Sequence, residues 1–204
     1  MTLPPLPFHC PRPLEAVLRG AYADPPRAYH TFEHVEEVLG HMASVSHWQD
    51  PVAVALAILF HDAIYVAGCS DNEPRSAQLA AALIAAHLPT LGADVPRVEQ
   101  LILLTARHGR LSRGDVDAEA ACFLDCDMAV LGAEPERFVA YERAIAEEYS
   151  AVPADLYRAG RAQFLRSVLA KPHIYLSEAF AERYEARARE NLTRALAAIA
   201  SEIL

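Results

Sequence analysis

The sequence predicts an all-α fold, a single-domain helical bundle, and three observations support this prediction. Alanine is the most frequent of the 204 residues, and alanine has the highest helix propensity. Apolar residues recur at the three- and four-residue spacing of one helix face. We find no convincing alternation of period two and no internal repeat. A chain of this length buries roughly 70% of the surface it exposes when unfolded, so one domain with a substantial core is expected.

The first element is an extended, proline-rich arm over residues 1–13, because each proline removes a backbone donor and disfavours helix in the residue before it. The remainder, residues 14–204, is interpreted as one helical domain. It has a metal-site half over about 29–132 and a C-terminal helical shell over about 134–204. Nine helices are expected, at about 14–23, 31–47, 51–65, 74–87, 95–108, 118–131, 135–149, 153–169 and 178–203.

Capping and helix-breaking residues set these boundaries. An N-cap side chain accepts a hydrogen bond from the first turn, proline fits that turn, and glycine commonly follows the last one. The residues concerned are Asp24-Pro25-Pro26 after the first helix, Thr31 before the second, Asp50-Pro51 at the third, Pro74 at the fourth, Gly132 after the sixth, and Pro135, Pro153 and Ser177 at the last three.

The third predicted helix contains an ionisable pair. Residues 53–60 are apolar throughout, and His61 and Asp62 follow them. Burying such a pair costs roughly several kcal/mol per charge unless a partner neutralises it, and a divalent cation is a suitable partner. Neighbours on a helix point about 100° apart, so this pair cannot form a complete metal site alone.

His34 and Asp127 are the candidates for the remaining ligands, because each is a polar group framed by apolar residues at helical spacing. With His61 and Asp62 they form a set of two imidazoles and two carboxylates. Such a mixed nitrogen and oxygen set suits Mn²⁺, Mg²⁺, Fe²⁺, Co²⁺ or Ni²⁺. Because the set lacks a thiolate, we do not expect a closed structural zinc site.

The ordered set His, His-Asp, Asp resembles the HD-domain superfamily of metal-dependent phosphohydrolases. The motifs similar to its small bacterial group of predicted HD phosphohydrolases are Tyr29-His30…His34, Phe60-His61-Asp62-Ala63, Asp71-Asn72-Glu73…Ser76 and Asp125-Cys126-Asp127…Leu131-Gly132. The resemblance favours Asp127 over Asp125 as the ligand. It implies hydrolysis of a phosphate ester bond in a small phosphorylated molecule, a nucleotide or phosphomonoester, by a metal-activated water.

The catalytic residues are expected to be Asp62, Glu73 and Asp71. Glu73 is the preferred general base, because the resemblance places functional acids in its block. The same pattern also fits a helix start, with Asp71 or Asn72 as N-cap and Glu73 stabilised by the helix dipole. Members of the superfamily often have a carboxylate closer to the His-Asp pair, but this chain has Tyr65 there.

Four residues are candidates to bind the phosphate of the substrate: His30, Arg75, Thr105 and His108. Thr105 and His108 share one face of the predicted fifth helix, and a polar pair on a leucine-rich stripe is more informative than either residue alone. For Arg75 a position on a solvated helix face is the simpler interpretation.

Composition limits the partners and the compartment. A formal net charge of −9 disfavours extended nucleic-acid binding. The four cysteines lack CxxC spacing, which indicates reduced thiols. No apolar run reaches about 18 residues and no signal peptide is recognisable, so we expect a cytoplasmic protein without a membrane partner. The C-terminal helices could cover the catalytic half or form the surface of a homodimer.

Other functions fit the same residues. One is a phosphodiesterase, and another is a di-iron oxygenase, for which His30 and His108 would supply further imidazoles. A third is a non-catalytic, metal-stabilised module that binds a ligand. Loss of ligands would indicate the third, but all four predicted ligands are present in the sequence.

Overall fold

A computed structural model describes residues 3–201, and within this range the chain forms nine α-helices, two short 3₁₀ turns and no strand. The predicted all-α fold is therefore confirmed. The α-helices are α1 (Arg12–Ala21), α2 (Phe32–Ser44), α3 (Pro51–Phe60), α4 (Asn72–His87), α5 (Val95–Thr105), α6 (Ala118–Met128), α7 (Pro135–Glu148), α8 (Ala154–Leu169) and α9 (Glu178–Ser201); the 3₁₀ turns are His108–Arg110 and Ala129–Gly132.

The chain divides into two compact units, Met1–Arg107 and His108–Leu204. In the first unit, α3 packs against α2, α4 and α5, while α4 also packs against α1 and α5. In the second unit, α9 packs against α8 and against the turn Ala129–Gly132, which also contacts α6 and α7. The predicted division into a metal-site half to about residue 132 and a helical shell from about residue 134 stays a prediction.

Helix α3 is the core of the first unit. All eight residues from Ala53 to Phe60 are fully buried, as expected for a helix that is apolar on every side. Its start is as predicted, with Pro51 in the first turn and Asp50 accepting a hydrogen bond from the Ala53 amide at 2.9 Å.

The predicted extension of this helix to Tyr65 is wrong, because α3 ends at Phe60. In a longer helix the Asp62 amide would donate to the Ile58 carbonyl. That carbonyl accepts instead from His61 Nδ1 at 2.9 Å, and the Asp62 amide donates to the Tyr22 hydroxyl at 3.3 Å. His61 and Asp62 therefore lie on a turn that follows the helix.

The predicted shared helix face of Thr105 and His108 is also wrong. Helix α5 ends at Thr105, and His108 begins a 3₁₀ turn. The Thr105 hydroxyl donates to the Ile102 carbonyl at 2.7 Å, which is the acceptor that the Ala106 amide would use in a continuing helix.

Gly132 does not cap α6, which ends at Met128. The glycines with positive φ are Gly68, Gly92 and Gly114, so Gly132 serves another purpose. A Cβ atom at this position would lie 2.6 Å from Tyr184 Cβ and 2.8 Å from the Tyr184 carbonyl oxygen. Glycine here permits the close approach of α9 to the turn Ala129–Gly132.

The remaining predicted boundaries agree with the helices to within about three residues. The proline-rich arm is shorter than predicted, because α1 begins at Arg12 and contains Pro13. Predictions for Met1, Thr2 and the end of the last helix beyond Ser201 lie outside the described residues. Within residues 3–201, no helix combines the length and the apolar character that a membrane span requires.

Candidate metal centre

The imidazoles of His34 and His61 face each other in the first unit. His34 lies in the first turn of α2, and His61 follows the last residue of α3. Their Nε2 atoms are 3.2 Å apart. The Asp62 Oδ2 atom lies 3.0 Å from His61 Nε2 and 3.9 Å from His34 Nε2. The structure therefore brings together three of the four predicted metal ligands within this unit.

These separations fit ligands around one cation. Two nitrogen ligands that each lie about 2.1 Å from an ion, at right angles, are about 3 Å apart. The distances from His61 Nε2 to His34 Nε2 and to Asp62 Oδ2 are close to this value. Two imidazoles and a carboxylate are also the donor types that divalent transition metals accept. This group can therefore hold a metal ion.

The tautomer of His61 suits metal binding. A carbonyl oxygen only accepts hydrogen bonds, so the 2.9 Å contact with the Ile58 carbonyl places the proton on His61 Nδ1. The lone pair of the neutral ring then lies on Nε2, which is the atom that faces His34 and Asp62. A backbone carbonyl that orients a ligating imidazole in this way is a common feature of metal sites.

His30 places a third imidazole beside this group. Its Nε2 atom is 4.0 Å from Asp62 Oδ2, and its ring stacks on Tyr65 with ring centroids 4.1 Å apart. The His30 side chain is 18% exposed, whereas the side chains of His34 and His61 are 2% exposed. His30 is thus the imidazole best placed to meet a molecule that arrives from solvent.

The turn after Asp62 is held by two side chains of α4. The Ile64 amide donates to Ser76 Oγ at 3.0 Å. The Asn72 side chain accepts from the Val66 amide and donates to the Val66 carbonyl, both at 3.0 Å. These contacts fix the backbone on both sides of Tyr65, whose ring stacks on His30.

The two predicted catalytic acids at the start of α4 differ in their surroundings. Asp71 is 63% exposed, lies 3.7 Å from Arg75 and occupies the N-cap position without accepting a capping hydrogen bond. Arg75, a predicted phosphate ligand, is itself 48% exposed. Glu73 is half-buried, and its carboxylate has neither a hydrogen bond nor an ion pair among residues 3–201.

The second unit holds the predicted residues His108 and Asp127 as a pair. His108 Nε2 and Asp127 Oδ2 are 2.6 Å apart, and the two side chains are 16% and 13% exposed. His108 lies in the turn His108–Arg110 and Asp127 near the end of α6. The role of Asp127 as a fourth metal ligand and that of His108 in substrate binding stay predictions.

Asp125, two positions before Asp127, connects α6 to the start of α9. Its carboxylate accepts hydrogen bonds from the Leu176 amide, the Ser177 amide and the Ser177 hydroxyl, at 2.6–2.8 Å. Burial raises the pKa of Asp125 to about 6, against the opposing effect of these hydrogen bonds. Ser177 directly precedes α9, and its hydroxyl donates to Asp125.

Sequence reasoning missed Arg27 and Tyr22, which contact the backbone around the His61-Asp62 turn. Arg27 donates to the carbonyls of His30, Asp62 and Ala63, and the Tyr22 hydroxyl donates to the Leu59 carbonyl. The available signal was an arginine between the Pro25-Pro26 turn and the Tyr29-His30 motif. Nothing in that local pattern indicates that the Arg27 side chain contacts the turn at Asp62 and Ala63.

Comparison of the chain with family models, curated proteins and solved structures found no match.

Proposed function

We propose that this protein is a metal-dependent phosphohydrolase of the HD-domain type, which hydrolyses a phosphate ester bond in a nucleotide or a phosphomonoester. The observation that carries the proposal is the convergence of His34 Nε2, His61 Nε2 and Asp62 Oδ2 on one point. The order and context of these residues in the sequence resemble the HD-domain superfamily.

The cation would be held by His34, His61 and Asp62, with Asp127 as the fourth predicted ligand. A bound Mn²⁺, Mg²⁺, Fe²⁺, Co²⁺ or Ni²⁺ ion would lower the pKa of a water molecule and neutralise charge on the phosphoryl oxygens. The Asp62 side chain is 16% exposed and those of His34 and His61 are 2% exposed, so a cation bound among them would be largely shielded from solvent.

The side chains around the ligands would have separate roles. His30 is partly exposed beside Asp62, so it can donate a hydrogen bond to a phosphoryl oxygen from Nε2. Glu73 would take the proton of the attacking water, since a base must not already be bound in an ion pair. Its position one residue after Asn72, which holds the Val66 backbone, supports a place near this site.

The test is a hydrolysis assay with purified protein. We would compare p-nitrophenyl phosphate, bis-p-nitrophenyl phosphate and a set of nucleotides, each with Mn²⁺, Co²⁺, Ni²⁺ or Mg²⁺ and with a chelator. We expect metal-dependent release of phosphate and loss of at least about 100-fold in activity in Asp62→Ala, because this change removes a ligand of the cation. Asp127→Asn tests the fourth predicted ligand in the same assay.

Asp24→Asn is the matched control, because Asp24 is an exposed aspartate of the same unit and should not alter the rate. Activity that survives Asp62→Ala would contradict the proposal. Cleavage of the diester alone would indicate a phosphodiesterase. Two irons per chain with an ultraviolet-visible absorption band would indicate an oxygenase, and bound metal without turnover of any substrate would indicate a non-catalytic module.

A further inference from the structure

Arg27 joins the two chain segments that carry the residues of the proposed site. It lies between α1 and α2, and its Nη1 atom donates to the carbonyls of His30 and Asp62, both at 2.8 Å. Its Nη2 atom donates to the Ala63 carbonyl at 3.1 Å. One guanidinium thus binds the backbone of His30 and the turn that contains Asp62.

The geometry of these bonds restricts both segments. Since a single nitrogen binds both the His30 and the Asp62 carbonyl oxygens, those oxygens cannot be farther apart than twice the 2.8 Å bond distance. A guanidinium offers several donors in one plane at fixed angles, whereas a lysine ammonium is a point charge on a flexible chain. Lysine therefore cannot replace the three bonds with the same geometry.

Aromatic rings hold the guanidinium itself. Its central carbon lies 5.1 Å from the centroid of the Tyr22 ring and 5.6 Å from that of Tyr65, distances at which a cation interacts favourably with a ring. The Tyr22 hydroxyl accepts from the Asp62 amide, so the same turn is bound a second time. Tyr65 also stacks on His30, so its ring contacts both the Arg27 guanidinium and the partly exposed imidazole.

We infer that Arg27 is a positioning residue, which fixes the His30 segment against the His61-Asp62 turn and thereby determines how tightly the site binds a cation. The inference rests on the proposed function, because the groups it positions are those of the proposed site. Arg27 acts through the backbone of these groups, as hydrogen bonds outside the ligand shell do in metal sites, where their loss lowers metal affinity about 10- to 100-fold.

Arg27→Lys and Arg27→Gln test this role in two measurements. Amide hydrogen exchange of the metal-free protein reports on the backbone at 28–31 and 60–64, and titration with Co²⁺ gives the affinity and the visible absorption spectrum. We expect faster exchange in both segments, Co²⁺ affinity lower by about 10- to 100-fold, and an altered absorption band. The band reports the ligand geometry, which a general loss of stability would not change.

Arg19→Lys is the matched control, because Arg19 is a partly buried arginine of the same unit that lies over an aromatic ring, Phe32, and pairs with Glu15. It should leave the exchange at 28–31 and 60–64 and the Co²⁺ affinity unchanged. Far-ultraviolet circular dichroism checks that each variant folds. If both Arg27 variants were unfolded, Arg27 would be required for the whole fold and not for positioning the site, and the inference would be overturned.

Two further outcomes separate this inference from the proposed function. Unchanged exchange in the Arg27 variants, or changed exchange with unchanged Co²⁺ affinity, would overturn the positioning role while the phosphohydrolase proposal stands. If the unaltered protein bound no cation, the proposed function would fail, and the exchange of the metal-free variants would alone decide whether Arg27 fixes the two segments.

Discussion

At the scale of single residues, the surroundings of Glu73 distinguish it from the neighbouring acid Asp71. Asp71 is mostly exposed and lies near the exposed Arg75, so its charge is solvated. Glu73 is half-buried in the first turn of α4 and has no ion pair or hydrogen bond within residues 3–201. A carboxylate in these surroundings is available to accept a proton, which favours Glu73 over Asp71 as the general base.

We therefore expect Glu73→Gln to lower kcat by about 10²- to 10⁴-fold, the usual contribution of a general base, and to leave cation affinity unchanged. The amide keeps the size of the side chain but cannot take up a proton. Steady-state kinetics with p-nitrophenyl phosphate and calorimetric titration with Mn²⁺ measure the two quantities.

Glu99→Gln is the matched control, because Glu99 is also a half-buried glutamate of the first unit. It should behave like the unaltered protein in both measurements. A normal kcat in Glu73→Gln would leave Glu73 as a first-turn acid that stabilises α4. A loss of Mn²⁺ affinity would instead make it a ligand.

The sequence predicts some site residues better than others for a physical reason. His61 and Asp62 follow an apolar run, and burial of an ionisable pair is costly without a partner. The local sequence is therefore enough to single them out as candidates. Arg27 gives no such signal. Its side chain donates to the carbonyls of His30, Asp62 and Ala63, which only the folded chain brings together.

At the scale of helices, the starts were more predictable than the ends. Asp50 caps α3 through a contact three positions away, so the local sequence contains all the information. The end of α3 depends on the hydroxyl of Tyr22, which is 40 positions distant along the chain. Apolar residues resume at Ala63, after the His61-Asp62 pair, so the local pattern could not reveal that the Asp62 amide has a partner outside the helix.

The close contact between Gly132 and Tyr184 of α9 should require glycine at position 132. A methyl group added here would lie 2.6 Å from Tyr184 Cβ and 2.8 Å from the Tyr184 carbonyl oxygen. Because the backbone of α9 cannot yield as the end of a flexible side chain can, we expect Gly132→Ala to lower the free energy of unfolding by about 1–3 kcal/mol. Urea denaturation followed by circular dichroism measures it.

Gly160→Ala provides the opposite expectation in the same unit. Gly160 lies inside α8, and an added Cβ would meet no atom within 4 Å. Alanine should therefore raise the free energy of unfolding by about 0.5–1 kcal/mol through its higher helix propensity. Equal effects of the two substitutions would show that the contact of Gly132 with Tyr184 does not restrict the residue.

At the scale of the whole molecule, helical periodicity is a local property, and it was sufficient to predict an all-α fold. The division of the chain after Arg107 was not predicted. The apolar pattern of the fifth predicted helix continues to His108, whereas α5 ends at Thr105. Compact units are determined by the packing of helices against one another. The apolar pattern of a sequence describes single helices, so it does not predict where the units divide.

The charge of the chain makes the cation important for any phosphorylated substrate. The formal net charge is −9, and acidic residues outnumber basic ones in each of the two units. The long-range potential should therefore repel an anionic substrate. Productive binding then depends on a local positive charge, which a divalent ion among His34, His61 and Asp62 would supply.

Such a cation should also stabilise the fold, because the three side chains converge only in the folded state. A ligand at 100 times its dissociation constant adds about 2.7 kcal/mol, which for a chain of this size raises Tm by about 5–10 °C. Differential scanning calorimetry with Mn²⁺, reversed by a chelator, measures the shift. His61→Ala and Asp62→Ala should abolish it, whereas Glu73→Gln should retain it, because a general base is not a ligand. A full shift in Asp62→Ala would place the cation elsewhere.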